Sequence, residues 1–370
     1  MKKQRKTARV ILMAIFFLVL ASCLTDSPMK IPFESYSPVN LGDGWEIATP
    51  YEAGIDGDAL KEIYKYVHDD DNLWQIRSLL IFRNGKLVAE SYMKDSGDIT
   101  TPRAIWSCTK QVVGILTGIA ADKGLISITD TIYDHLPSQV SEFPDKSQIT
   151  IENLLMMKSG IEFINGGING GPAVMAREEP SSSLNYIFGL KTHASPGTKF
   201  NYNDGDPFII SAIIQSATGM VTRDWAQQVL FDRIGITRLT WLNYKDGITF
   251  GGYGIKTTPR ELGKIGQLVL NDGMWGTERI VSSKWLSEML SEKVTAAETG
   301  SADSAFGYLW WKETKRDINI MWGRGGQLVF INKDKKLIMV TTAETNTSGD
   351  FHLTPYDLLP IYDRINSITN

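Results

Sequence analysis

Short apolar runs of strand length stand in two places far apart along this chain, and between them the spacing becomes helical. Ser78–Phe82 and Lys86–Tyr92 read as strands joined by Arg83-Asn84-Gly85, and Asn-Gly is the strongest short signal for a tight hairpin. Near the other end, Phe306–Glu313, Ile318–Trp322, Gln327–Asn332 and Leu337–Thr342 read as four more short strands with tight connections, an antiparallel meander. Lys110–Lys123 instead places Val113, Leu116, Thr117 and Ala120 on one helical face and stops at Gly124. Further helices are expected over Ile151–Met157, Pro207–Ala217, Arg223–Phe231, Pro259–Leu270 and Ser283–Leu290, with a last one after Pro355. The pattern predicts an α+β fold: one antiparallel sheet built from both chain ends, flanked by helices, with a mostly helical insertion and a cleft at the seam. Asn165-Gly166-Gly167-Ile168-Asn169-Gly170-Gly171 suits neither helix nor strand. It reads as a cleft-edge loop or as a surface connection.

The first residues follow another pattern. A basic stretch from Lys2 to Arg9 runs into the apolar stretch Val10–Leu20 and then Ala21-Ser22-Cys23. The apolar run is shorter than the roughly 20 residues that span a bilayer, and its order is that of a secretory signal. Small residues ending in Cys resemble a bacterial lipobox, in which the thiol is acylated and becomes the new amino terminus. The expectation is therefore a signal peptide over 1–23, lipidation at Cys23, and a Pro-containing tether over 24–43. A domain over 44–370 follows, its sheet part about 44–106 and 300–370 and its helical part about 107–299. Such a protein belongs in the bacterial cell envelope, anchored to a bilayer on the periplasmic or outer-surface side. With Cys23 lipidated, Cys108 has no partner for a disulfide.

Composition narrows the chemistry. The 370 residues are 42% apolar and 22% charged, which fits a sizeable core and no extended disorder. Without the first 23 residues, which hold five basic groups, 33 basic residues face 42 acidic ones, a net charge of −9. That argues against a nucleic-acid partner, which requires a basic face. Two Cys and four scattered His offer little for a metal. The run Asp69-Asp70-Asp71 reads as a solvated helix end, with a cation site as the alternative. There is no Gly-x-Ser-x-Gly, no His-Glu-x-x-His and no phosphate-binding Gly-x-x-x-x-Gly-Lys-Ser/Thr.

Ser-x-x-Lys occurs three times, at Ser27/Lys30, Ser91/Lys94 and Ser107/Lys110. Ser27 lies in the expected tether, and residues i and i+3 of the strand ending at Ser91 face opposite sides. Only Ser107 stands where an irregular stretch enters a helix. There residues i and i+3 share a face, so the Lys110 amine can reach the Ser107 hydroxyl. The helix amino terminus adds donors and partial positive charge that favour an oxyanion.

A second group joins it. Phe200-Asn201-Tyr202-Asn203-Asp204 precedes an apolar helix, and Gly325-Gly326 opens a strand near the carboxyl end. Ile149–Gly160, Ser195-Pro196-Gly197-Thr198-Lys199-Phe200 and Gly251–Gly273 stand in order around them. This set resembles the serine β-lactamase and penicillin-binding-protein superfamily. The likeness is to its class C-like branch, which includes β-lactamase-type esterases and 6-aminohexanoate-dimer hydrolases. It covers about Gly44 to Ala343.

The resemblance implies a β-lactamase/transpeptidase-like fold with Ser107 as acylated nucleophile, Lys110 as its base partner and Tyr202 relaying the proton to the leaving group. It implies an oxyanion hole from the backbone N–H groups of Ser107 and Gln327, and a substrate-lining strand at Arg324-Gly325-Gly326. Acyl transfer follows: Ser107 attacks a carbonyl, and water releases the acyl group. No cofactor is implied. A free Lys near pKa 10.4 is neutral about once in 2,500 molecules at pH 7, so burial is expected to bring Lys110 or Tyr202 down by two units or more. Either can be the base, and their titrations are coupled.

Two positions depart from the branch. Asp204 stands where an Asn amide contacts substrate, with Asn203 one position earlier as a conceivable substitute. Arg324 replaces Lys or His; always protonated, it cannot shuttle a proton, but its fork suits a substrate carboxylate. Trp106, Tyr308, Trp310, Trp311 and Trp322 are candidates for an aromatic cleft, with Trp106 and Trp322 placed in the substrate site. Adjacent Trp310 and Trp311 face opposite sides, so one of them belongs to packing. Cys108 reads as a small buried helix residue rather than a second nucleophile. The expected activity is hydrolysis of an amide or ester in a small or peptide-like substrate, with or without a carboxylate. A carboxylesterase with the same residues and an envelope sensor that acylates once are the alternatives.

Overall fold

In the computed structural model, which describes residues 30–166, 171, 175, 182–345 and 352–370, the two strand-like regions meet in one sheet. Its strands are β1 (Glu46–Ile47), β2 (Ile76–Arg83), β3 (Lys86–Tyr92), β4 (Ser304–Phe306), β5 (Trp311–Glu313), β6 (Ile318–Gly323), β7 (Gln327–Asn332) and β8 (Leu337–Ala343). The order across the sheet is β1-β3-β2-β8-β7-β6-β5-β4. All neighbours are antiparallel except β1 and β3. Asn84 and Gly85 both take positive φ, 52° and 80°, as the tight β2–β3 turn requires. The two chain ends join at β2 and β8, where Leu80 pairs with Val340.

The expected strand Phe306–Glu313 is two strands. Leu309 takes φ 61° and the chain doubles back, so that Trp311 pairs with Phe306. The break follows from tertiary contact: a Cβ on Gly307 would stand 2.1 Å from the Met289 carbonyl oxygen, and the Trp310 indole donates to Gln111 O at 3.1 Å.

Side chains alternate across the sheet. On one face Phe330 stacks on Tyr362 of α5 (Pro355–Ser367) at 5.6 Å, and α1 (Gly57–Asp69) packs beside that helix. On the other face lies α4 (Pro259–Leu270), whose Gly263 and Gly266 let it settle on Phe82 and Val329. A Cβ on Gly263 would come within 2.6 Å of the Phe82 ring. Helix α4 therefore belongs to the sheet part, although its position in sequence put it in the helical insertion. Helix α2 (Cys108–Asp122) lies deeper than its one-sided pattern suggests, because every residue from Cys108 to Ala120 is buried. Three short strands, Arg103–Ala104, Thr240–Trp241 and Ile255–Thr257, form a second small sheet beside its start.

The described part of the expected tether is a packed strap. Ile31 N donates to Met93 O at 2.8 Å and Glu90 N to Tyr36 O at 2.8 Å, while Arg260 Nη2 holds Val39 O at 2.6 Å. Tyr36 stacks on Tyr64, which anchors the strap in the core. The signal region and Cys23 lie outside the described residues. Among the described residues, no helix is long and apolar enough to cross a membrane. Asp69-Asp70-Asp71 ends α1, and Asp70 caps the next turn by accepting from Asn72 N at 2.9 Å.

Candidate active site

Helix α2 opens immediately after Trp106, which takes the strained φ of 50°. Its first turn closes with Lys110 N donating to Ser107 O at 2.9 Å. One turn apart, Lys110 Nζ donates to Ser107 Oγ at 3.0 Å, as the i,i+3 spacing predicts. The ammonium has two further acceptors: the carboxylate of Asp204 and Gly252 O at 2.8 Å. Asp204 precedes α3 (Gly205–Thr218), and Asn165 Oδ1 accepts from its backbone N–H at 3.0 Å. Gly252 approaches so closely that a Cβ there would stand 2.6 Å from the Asp204 Cβ. Tyr202, two residues before Asp204, lays its ring 4.9 Å from Lys110 Nζ, and its hydroxyl interacts with both Ser107 and Lys110. Hydroxyl, amine and phenol therefore meet at the mouth of one helix.

The protonation pattern differs from the expected one. Burial pushes the Lys110 ammonium towards neutrality, but the adjacent Asp204 carboxylate and Tyr202 outweigh it, and its pKa ends above the ordinary value. Burial raises the Tyr202 phenol as well, against the opposing pull of Lys110 and Ser107. Neither group is brought down: burial keeps the phenol high, and for the ammonium the counter-ion responsible is Asp204.

The remaining expected residues separate into two sets. Gln327 begins β7 and pairs with Gly323, which lies against Ile105 and Cys108 at the start of α2. Its side chain is clamped to Ala343 by bonds of 2.8 and 3.3 Å, and this fixes the strand start beside Ser107. Cys108 donates from Sγ to Gln327 O at 3.2 Å, and burial pushes its thiol well above the ordinary range, so it is packing. Arg324-Gly325-Gly326 is the tight turn from β6 to β7 rather than strand, with φ of 77° and 92° at the two glycines. Exposed Arg324 reaches His352 Nε2 at 2.6 Å and lies 5.9 Å from the Trp106 ring. A chain of ring contacts runs from Tyr202 to Trp311 (5.5 Å), from Trp311 to Trp322 (4.9 Å) and from Trp322 to exposed Tyr356 (6.3 Å). Both adjacent tryptophans are buried, but Trp310 packs on α2 at Gln111 while Trp311 packs on Tyr202 and Phe306.

Asp204 faces Lys110 instead of standing free for an acyl-amide group, and Asn203 does not replace it. The Asn203 side chain is buried in the turn, accepting from Asp206 N at 2.7 Å and donating to Asn201 O at 2.7 Å. Asp206 itself is fully buried. It accepts from Ser159 Oγ at 2.6 Å, and burial pushes its carboxyl up to about 7. This bond ties Met157-Lys158-Ser159-Gly160 to the Tyr202 loop. Between the unfolded value near 4 and about 7 the folded state binds the extra proton, so stability is lost as pH rises through that window. Thermal melts should therefore show a midpoint that falls from pH 5 to pH 8, a slope that Asp206→Asn removes.

Gly252, Tyr253, Asn165 and His352 are site neighbours that sequence reasoning did not single out. For Gly252 the Gly251-Gly252-Tyr253-Gly254 cluster was the available signal. Asn165 shows that the glycine-rich stretch begins at the cleft edge; residues 167–170 lie outside the described ones.

A sheet made by both chain ends, with a central helix opening at its seam, is the architecture of the serine β-lactamase and penicillin-binding-protein superfamily. The family model described as Beta-lactamase matches residues 77–360, and the chain belongs to that family. A curated relative, 6-aminohexanoate-dimer hydrolase of Paenarthrobacter ureafaciens, is 20% identical over 227 residues, 58% of this chain and 57% of that protein. The chain thus spans little more than half of that relative's length. Among solved structures, EstCE1, a hydrolase with promiscuous acyltransferase activity, aligns with a TM-score of 0.67 at 15% identity, covering 88% of this chain and 100% of that one. A penicillin-binding-protein homologue from Caulobacter crescentus aligns with a TM-score of 0.66 at 11% identity, covering 84% and 97%.

Proposed function

We propose that this protein is a serine hydrolase that cleaves an amide or ester carbonyl through an acyl group carried on Ser107. The observation that carries the reading is the Lys110 amine bonded to Ser107 Oγ at 3.0 Å with Tyr202 beside both. In this reading Ser107 Oγ attacks the carbonyl, the backbone N–H groups of Ser107 and Gln327 receive the oxyanion, and Tyr202 protonates the leaving group. Water then releases the acid. Short linear amides are the first substrate class. A carboxylesterase is the second reading, favoured by one specific contact: Asp204 is taken up by Lys110, so it offers no amide donor to an acyl-amide group.

Turnover of a panel of p-nitrophenyl esters, linear amides, D-alanyl peptides and a chromogenic cephalosporin is the test. Catalytic release of product from an ester or amide supports the proposal. A single stoichiometric burst without turnover on every compound would make the protein a sensor.

Arg324 stands exposed over Trp106 at the site mouth beside His352, a placement suited to a carboxylate on the substrate. Arg324→Ala should raise KM about tenfold for carboxylate-bearing substrates and leave kcat and the KM of neutral esters unchanged. An unchanged KM for every carboxylate substrate rejects that role. The proposal extends to location: Lys2–Cys23 supports a lipid-anchored envelope protein, and the mass of the mature amino terminus is its test.

A further inference from the structure

Lys110 has three N–H donors when charged, and three acceptors surround it: Ser107 Oγ, the Asp204 carboxylate and Gly252 O. An amine so placed has no lone pair turned to the serine. To accept the serine proton it must give one away. Of its three acceptors the hydroxyl is the donor in question and a peptide carbonyl takes no proton; the neighbouring Tyr202 phenol already holds its own, which leaves the carboxylate. We propose that Asp204 is the terminal proton acceptor of a Ser107–Lys110–Asp204 relay, so that the serine is activated by a carboxylate acting through an ammonium. The inference rests on the serine-hydrolase reading above.

The step balances without a co-reactant. The Ser107 proton moves to Lys110 Nζ as one Nζ proton moves to Asp204 Oδ1, and the Oγ–carbonyl carbon bond forms as the carbonyl π pair passes to oxygen. When the tetrahedral centre collapses, its bond to the leaving group breaks. The Tyr202 proton goes to the leaving group, and the phenol is restored from Asp204 through Lys110. Deacylation by water runs the same path.

The surroundings suit the relay. The titratable groups facing the pair are Tyr202 from its own loop, Tyr253 from the 251–254 loop and the Cys108 thiol from α2. All three hold their protons, and burial is the first cause in each. Asp206 is turned away to Ser159. Among the described residues, the one carboxylate within hydrogen-bond reach of Lys110 is Asp204, whose side chain is 15% exposed.

The test is the pH dependence of Ser107 acylation by p-nitrophenyl butyrate, followed by intact mass in wild type, Asp204→Asn and Asp204→Glu, with melts confirming folding. The p-nitrophenolate leaves without a proton, so the rate reports serine activation alone. In wild type the carboxylate takes the proton and no neutral Lys110 is required, so the acid limb lies well below that of Asp204→Asn. In Asp204→Asn the rate needs a neutral Lys110, so the limb moves up by at least about 2 pH units and the rate at pH 6 falls more than tenfold. Asp204→Glu keeps the low limb. An Asp204→Asn profile that coincides with wild type, or is lowered uniformly without a shifted limb, overturns the relay. Should Asp204→Asn fail to fold, an Asp204→Glu profile whose limb is displaced upward by about 2 pH units overturns it equally. Wild type that forms no adduct at Ser107 sinks the hydrolase reading itself, which is a different outcome.

Discussion

Ser107→Ala should lower kcat on an ester probe by about 10⁴-fold or more, with the melting temperature nearly unchanged. The loss is large because the other groups act only through the nucleophile, so removing it silences them together. The fold should tolerate the change for a local reason: Ser107 stands at the start of α2 but its side chain makes no capping bond, and the first turn is closed by backbone groups. What Lys110 loses is one acceptor of three, and two remain. A variant that retained more than a few per cent of wild-type kcat would place the chemistry elsewhere. Parallel melts separate this from simple unfolding.

Lys110→Met should have the second largest effect, on two readouts that then separate. Turnover should fall by about 10³-fold or more, because proton transfer from the serine and to the leaving group both pass through the amine. Stability should fall by about 2–3 kcal/mol, since Asp204 is left beside burial without its counter-ion. The full cost of an orphaned buried charge is not reached, because the Asp204 side chain keeps some contact with water. Adding Asp204→Asn to Lys110→Met should restore most of the stability and none of the rate. If rate and stability recovered together, Lys110 would be a packing residue.

Short apolar runs bounded by turn residues resolved the sheet. β2, β3, β6, β7 and β8 are runs of six to eight residues covered on both faces, and each was legible within a residue or two. Helix α4 was legible to the residue from Thr258 as its cap and Pro259 in its first turn. Its layer was not, because Gly263 and Gly266 declare their purpose only against Phe82 and Val329. Phe306–Glu313 misled for the opposite reason: both halves are apolar, and the reversal at Leu309 is imposed by α2 and the Met289 carbonyl across the core.

At the site, the short-range part was legible and the long-range part was not. Ser107 and Lys110 are one helical turn apart, so local geometry alone joins them. Tyr202 came from the motif order. The ion pair between Lys110 and Asp204 spans 94 residues, and nothing in the spacing announces it. It reverses the electrostatic expectation: a buried lysine alone would lose its proton, whereas this one keeps it. Arg324 was found as a residue, but its neighbours Trp106 and His352 are assembled only by the β6–β7 turn and the segment before α5.

The central claim is that an acyl group is carried on Ser107. Mixing the intact domain with a p-nitrophenyl ester, quenching in acid and mapping peptides by mass tests it most directly. The predicted result is one acyl adduct per chain on the peptide that contains Ser107, absent from Ser107→Ala. An adduct on any other residue, Cys108 included, or turnover with no adduct trapped at any time, would contradict it.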